Sequence, residues 1–173
     1  MSLDNSYRAY GRYLVTFNRL NPLLDAAIAR EAGLGPVPGA IVTGAQNTKT
    51  RLGMLRGLLL NAGGEKASIA PLLAEITQDA KKQPMLQGLA YPGGTNSLLF
   101  ARPETSGRMS AASAEYTAEE MDGLADALEA NIEKLALALA ITPADLAEFK
   151  RAGDEGAARR KRGNGGAIEE DAE

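Results

Sequence analysis

The chain has 173 residues and a formal net charge of −3, which suits one domain with a hydrophobic core and offers no global positive charge for nucleic-acid binding. It contains no cysteine and no histidine, which excludes disulfides, thiolate metal sites, cysteine nucleophiles and the commonest general base near neutral pH. Only 5% of the residues are aromatic, and alanine and leucine supply much of the 45% apolar fraction, a composition that favours helices.

Neither a signal peptide nor a membrane span is predicted. The N-terminal residues lack the charged start, apolar middle and cleavage site of a secretory signal. The longest wholly apolar run, Leu135 to Ile141, is far shorter than the roughly 20 residues that cross a bilayer. We therefore expect a soluble, cytoplasmic protein with no membrane association.

The first predicted element is a long helix from Asp4 to about Gly33. Its proline, in the dipeptide Asn21-Pro22, predicts a kink or two abutting helices, because proline removes a backbone donor and crowds the preceding turn. The apolar residues that recur at three- and four-residue steps are Tyr7, Tyr10, Leu14, Phe17, Leu20 or Leu24, and Ile28.

Glycine and proline then predict a loop over residues 34–39, and residues 40–44 fit either a helical turn or a packed loop. Asn47 or Thr48 can cap a second helix. A third helix follows and is ended or kinked by Pro84. The apolar stripe of the second helix is Leu52, Leu55, Leu58 and Leu59, and that of the third is Ile69, Leu72, Leu73, Ile76 and Ala80.

A small hairpin is predicted next, because residues 88–91 and 97–102 flank a turn-rich loop at 92–96. Residues 107–116 could add a third strand or remain irregular. Thr117 and Glu120 have the spacing of a capping box, which predicts the start of a long fourth helix. Its apolar stripe is Met121, Leu124, Leu128, Ile132, Leu135 and Leu139.

The C-terminal part is predicted to contain a brief final helix and a tail. Thr142 and Pro143 suit the cap and first residue of that helix. From residue 153 the glycines and runs of like charge predict disorder. The fold prediction is therefore a mainly α protein: an up-and-down bundle of about four helices with a small hairpin between the third and fourth, plus a short C-terminal helix. The domain would span residues 1–152 and the charged tail residues 153–173.

One junction resembles a known family motif. The stretch Lys82-Gln83-Pro84-Met85-Leu86-Gln87-Gly88 lies at the predicted end of the third helix, before the hairpin. Bacterial HEPN-like helical domains carry Arg-Asn-x-x-x-His-Gly at the corresponding place, and this sequence resembles a diverged member. Lys82 would take the place of the arginine, Gln83 of the asparagine and Gln87 of the histidine, while Gly88 is retained.

The resemblance implies an ancestral metal-independent ribonuclease site formed across a dimer. Gln87 cannot titrate, so it cannot act as a general acid or base. Lys82 keeps the positive charge but loses the bidentate grip of a guanidinium on phosphate. We therefore expect no catalytic residue in this chain.

The candidate binding residues are cationic or amide side chains at this junction and on the second helix. Lys81 and Lys82 have an ordinary structural explanation as well, because cations stabilise the C-terminal end of a helix. We expect no bound metal and no cofactor. The candidate set is Lys81, Lys82, Gln83 and Gln87, with Arg51 and Arg56 on the second helix.

The functional prediction is a non-catalytic protein-interaction module that pairs with itself and binds another protein, with a bacterial stress, defence or mobile-element setting implied by the resemblance. One alternative is a metal-independent ribonuclease in which Tyr91, Glu75 or Asp79 replaces the histidine. Another alternative is an antitoxin, immunity protein or phage-encoded inhibitor of a partner protein. RNA binding is not favoured, because the net charge is negative.

Overall fold

The computed structural model describes residues 3–79, 85–86, 88–101 and 114–164, with the backbone alone at positions 79, 157 and 159–164. The molecule is mainly helical, which confirms the predicted class. The elements in chain order are α1 (Leu3–Glu31), α2 (Pro36–Gly44), α3 (Thr48–Ala62), α4 (Gly64–Ala67), α5 (Ala70–Asp79), β1 (Leu89–Pro92), β2 (Ser97–Ala101), β3 (Ala114–Thr117), α6 (Ala118–Ala138) and α7 (Pro143–Asn164).

The first helix is continuous through Pro22, so the alternative of two abutting helices is wrong, and the kink stays a prediction. Leu20, Leu24 and Ile28 are buried as predicted. Nearer the N-terminus the buried face differs from the predicted one: Tyr7 is 44% exposed, while Tyr13 is 1% exposed. Small residues explain the difference, because Ser6, Ala9 and Thr16 lie on the buried face beside Tyr13 and allow a neighbouring helix to approach. A pattern built from large side chains overlooks such positions.

The predicted loop at residues 34–39 is also wrong in part, because α2 begins at Pro36. Proline is tolerated in the first turn of a helix, where the amide would lack an intrahelical partner. Gly39 lies on the face of α2 that packs against α1. A Cβ atom at this position would lie 2.4 Å from the Cβ of Ala29, so the absence of a side chain allows the two helices to pack closely.

The long helix α6 begins and packs as the sequence predicts. The Thr117 hydroxyl accepts the Glu120 N–H at 3.2 Å, and the Glu120 carboxylate accepts the Thr117 N–H at 2.7 Å, which forms the predicted capping box. The buried stripe of α6 packs against α1 and forms much of the core. It contains Met121, Leu128, Ile132 and Leu135, with Leu139 just beyond the helix.

A three-stranded antiparallel sheet of order β1-β2-β3 lies against α1. In the register, Ala90 pairs with Phe100, and Phe100 pairs with Ala114. The Phe100 ring is fully buried, and its centroid is 5.0 Å from that of Tyr10 on α1. The third strand, Ala114–Thr117, overlaps the end of the stretch 107–116, for which the sequence left a strand and irregular structure open.

The final helix α7 is longer than predicted, because it continues from Pro143 to Asn164 instead of ending near residue 152. An ion pair between Arg151 and Glu155, 2.7 Å long and one turn apart, favours this continuation. Gly156 also packs on α2: a Cβ there would lie 2.9 Å from a methyl carbon of Val37. The remainder of the predicted tail, residues 165–173, lies outside the described residues.

The turn between α6 and α7 contains a strained residue. Ala140 has a φ of 49°, and the adjacent N–H of Ile141 donates to the Ala136 carbonyl at 2.9 Å, as in a Schellman motif. Alanine in this left-handed conformation costs roughly 1–2 kcal/mol, a penalty that glycine escapes. The turn is therefore held by its surroundings against the preference of its own residue.

Replacement of Ala140 by glycine should raise the free energy of unfolding by about 1 kcal/mol, because the left-handed conformation suits glycine. The matched control is Ala138→Gly at the end of α6, which should lower stability by about 0.5–1 kcal/mol because glycine is a poor helix former. Urea denaturation of both variants gives the comparison. A loss of stability in both would show that the turn is not strained.

None of the helices in the described part of the chain combines the length and apolar character needed to cross a membrane. The up-and-down order of the bundle and the division at residue 152 stay predictions.

Candidate functional site

The predicted site residues are only partly visible in the structure. Lys81, Lys82, Gln83 and Gln87 lie outside the described residues, so their placement stays a prediction. Arg56 is exposed on α3, and Arg51 is largely buried one and a half turns earlier on the same helix. Since five residues separate them, they point about 140° apart on the helix and do not converge on one ligand.

Arg51 is committed to contacts within the protein. Its Nε lies 2.7 Å from Oδ1 of Asp25 on α1, and its Nη1 lies 3.4 Å from Oδ1 of Asn21. The Arg51 side chain is 11% exposed and that of Asp25 is 19% exposed. The Asp25 contact is ionic, since neither joined atom makes a hydrogen bond of good geometry. Arg51 is therefore held by Asp25 and Asn21 and is not free to grip phosphate.

The described end of the α5–β1 connection is fixed to α1. The hydroxyl of Tyr10 donates to the Met85 carbonyl at 2.8 Å, and the Met85 side chain is fully buried. Burial raises the pKa of Tyr10 above its ordinary value. Among the other residues considered for the substituted ribonuclease site, Tyr91 is 39% exposed on β1, and Glu75 is exposed on α5.

A large open cleft lies elsewhere, between α1, α6 and α7, with α2 at one side. Its volume is about 1010 Å³. This volume is at the upper end of the range of roughly 300–1,000 Å³ for ligand pockets. Most of its surface is apolar, and the main apolar side chains are Leu23, Ile132, Ala136, Ile141, Leu146 and Phe149.

Local sequence features position the α7 wall of this cleft. Helix α7 turns back towards α1 after the Ala140 turn and is started by Thr142, as predicted. Phe149 then lies near Gly39: a Cβ at Gly39 would be 3.5 Å from its ring. The described side chains of α7 are exposed or half-buried, so this wall is attached by a shallow stripe.

The polar groups of the cleft lie around the apolar floor. Asn18, Asn21 and Asp25 follow one another along α1 at three- and four-residue steps, so they share one face. Glu133 comes from α6, and Lys150 and Asp154 come from α7. Arg19 also reaches the cleft, but its Nη1 is bonded to the Glu129 carboxylate at 2.5 Å.

The start of α7 is stabilised by the Asp145 carboxylate. The Thr142 N–H and hydroxyl each donate to Oδ2 of Asp145 at 2.7 Å, and the backbone bond is the main reason that the pKa of Asp145 is lowered. A carboxylate with a lowered pKa stabilises the folded state above its unfolded pKa, and this contribution is lost as the pH falls through the folded value.

Asp145→Asn should therefore lower the thermal midpoint most near neutral pH. The difference from the unmodified protein should shrink as the pH falls below the ordinary aspartate pKa of about 3.8, and it should disappear below the lowered pKa of the folded state. Thermal unfolding of both proteins between neutral pH and acid measures this difference. A constant difference over the whole range would contradict the assignment.

The cleft offers several kinds of polar group beside its apolar floor. Carboxylates, amides, a lysine and an arginine line it, and the chain has no histidine or cysteine. Within the described ranges, no group of three or more acidic side chains lies together in a way that could hold a metal ion. The arrangement suits a ligand with an apolar face and polar edges.

Comparisons of the chain with protein-family models, with curated proteins and with solved structures find no match. They leave the resemblance to HEPN-like domains untested.

The cleft residues were missed in the sequence for a physical reason. The Asn21-Pro22 break was interpreted as a kink, whereas both residues line the cleft. Asp25 was overlooked because its partner, Arg51, comes from another helix. One signal was available: Asn18, Asn21 and Asp25 recur at three- and four-residue steps and therefore form a polar line along α1.

Proposed function

We propose that the protein is a non-catalytic, cytoplasmic interaction module, and that the cleft between α1, α6 and α7 holds the apolar face of a helix from a partner protein. The observation that carries this proposal is the cleft itself: an open cavity of about 1010 Å³ with an apolar floor and charged borders. Helices bind such grooves by burying a stripe of apolar side chains while their polar side chains stay at the edge.

The dimensions of the cleft support a short helical segment. The α7 wall extends from Pro143 to Asp154, which corresponds to about 16 Å of helix or roughly three turns. A partner segment of that length places apolar residues at positions i, i+3 or i+4, and i+7 over the floor. Ile132 and Leu146 contribute to this floor from opposite walls.

A designed helical peptide of about 16 residues with a leucine stripe tests the proposal. Binding should shift the NMR signals of Leu146 and Phe149, which line the cleft. A peptide of the same composition with a scrambled stripe should not bind. Failure of every striped peptide to bind would overturn the proposed function.

A matched pair of protein variants locates the binding. Ala136→Phe places a large ring in the cleft and should weaken binding of the striped peptide at least tenfold, because the ring occupies the floor. Leu137→Phe, at the neighbouring position that is 83% exposed, should leave binding unchanged. Thermal unfolding of both variants establishes that they remain folded, and equal binding by both would place the peptide elsewhere.

Pairing of two copies also remains part of the proposal. The long helix α1 carries two exposed large apolar side chains, Tyr7 at 44% and Val15 at 64%. Association could bury such residues. Light scattering on the purified protein distinguishes a dimer from a monomer. The HEPN-like relationship, the substituted ribonuclease and the partner-inhibiting protein stay predictions from the sequence.

A further inference from the structure

The charges at the cleft are unevenly placed. Asp25 lines the cleft, whereas Arg51 lies behind it on α3 and does not line it. The ion pair between them therefore presents its acidic member to a ligand. Arg19, a cation at the same wall, is already bonded to Glu129. Along α1 the cleft thus offers an acceptor and no uncommitted cation.

The side chains at the rim of the cleft, on α6 and α7, also include more acidic than basic groups. Glu133, Lys150 and Asp154 line the cleft. None of the three makes an ion pair with another described residue. Apart from the paired residues, the rim thus carries two carboxylates and one ammonium group, so negative charge is in excess. Opposite charge on a ligand would be attracted to this rim, and a second anion would be repelled.

One further acceptor lies on α1 about two turns before Asp25. Pro22 has no N–H, so the Asn18 carbonyl lacks the donor that an α-helix normally supplies four residues later. Asn18 and Pro22 both line the cleft. The N–H donors of a lysine or arginine bond to carboxylate and carbonyl oxygens alike, so this carbonyl adds a second acceptor along the α1 wall.

We propose that the cleft selects a partner helix that carries lysine or arginine beside its apolar stripe, and that Asp25 receives the cationic nitrogen. This inference rests on the proposed function and adds the chemical class of the partner. The apolar floor binds the stripe and supplies most of the burial. The carboxylates select the basic flank, since an acidic flank would meet like charge and a neutral one would gain no charge-assisted bond.

Three striped peptides that differ at one flanking position test the inference. The position holds lysine, glutamine or glutamate, and isothermal titration calorimetry gives each Kd. The lysine peptide should bind about tenfold more tightly than the glutamine peptide, as expected for a hydrogen bond to a charged group. The glutamate peptide should bind more weakly than either, and added salt should reduce the lysine preference.

Protein variants identify the receiving carboxylate. Asp25→Asn should reduce the preference for lysine over glutamine, and Arg51→Gln in the same chain removes the cation that this change would leave unpaired. Glu133→Gln, on an exposed residue, should remove only part of the salt dependence. A lysine preference that survives in the Asp25→Asn, Arg51→Gln protein would overturn the role of Asp25.

The outcomes separate the inference from the function on which it rests. If no striped peptide binds, the proposed function fails. If lysine and glutamine peptides bind equally well, the helix-binding function stands and the selection for a basic partner fails. Decylammonium chloride serves as a small cationic amphiphile. If it shifts the NMR signals of Leu146 and Phe149 while the lysine peptide does not, a small amine replaces the partner helix as the ligand.

Discussion

Replacement of Leu135 by alanine should lower the free energy of unfolding by about 3 kcal/mol, because the residue is fully buried between α6 and the rest of the core. Removal of a buried side chain costs both its transfer out of water and the cavity that remains. The same change at Leu137, which is 83% exposed two residues later, should alter stability by less than about 0.5 kcal/mol.

Urea denaturation of the two variants measures this difference with the substitution and helix held constant. Because leucine and alanine are both good helix formers, helix propensity contributes little to either result. The comparison therefore reports which face of α6 is covered. Similar losses at both positions would mean that Leu137 is buried in solution, which is the result expected if a second copy covers this face of α6.

Local signals in the sequence predicted the starts of the helices better than their packing. Capping boxes form at Thr117 and Thr142. In each, the threonine hydroxyl accepts the backbone N–H of the acidic residue three positions later, and the acidic side chain accepts the backbone N–H of the threonine. A capping box needs no residue from elsewhere in the chain, so a short segment of sequence is enough to predict the helix start. The stripe of α6 was readable for the same reason, since the predicted residues Met121, Leu128, Ile132 and Leu135 are buried.

Packing between elements was less readable, because it depends on small residues and on distant partners. Gly39 and Gly156 look like helix breakers in a sequence, but each lies in a helix at a close contact with another helix. The interpretation of residues 34–39 as a loop and of residue 153 as the start of the tail followed from this. The cleft depends on these contacts, since they hold α7 beside α1 and α2.

The candidate site illustrates the same limit. The sequence directed attention to the junction at residues 81–88, where a motif could be compared position by position. The cleft instead combines Asp25, Ile132 and Phe149, which are far apart in the chain. Its acidic character also depends on which member of the Asp25–Arg51 pair faces outward. Residue types alone do not specify that orientation.

Gly39→Ala should lower the free energy of unfolding by about 2 kcal/mol, even though alanine is the better helix former. The added Cβ would lie 2.4 Å from the Cβ of Ala29 and 3.4 Å from its backbone Cα, so α1 and α2 must separate. Overpacking of this kind costs about 1–3 kcal/mol. This cost exceeds the gain in helix propensity from glycine to alanine, which is at most about 1 kcal/mol.

Gly53→Ala provides the matched control, because Gly53 lies within α3 and a Cβ there would meet nothing within 4 Å. This variant should be more stable by about 0.5–1 kcal/mol, from helix propensity alone. Because Phe149 packs beside Gly39, the first substitution should also shift the NMR signals of the Phe149 ring and weaken binding of the striped peptide. If Gly39→Ala were as stabilising as Gly53→Ala, α2 would not pack closely on α1. The result would also contradict the role of α2 in positioning α7 beside the cleft.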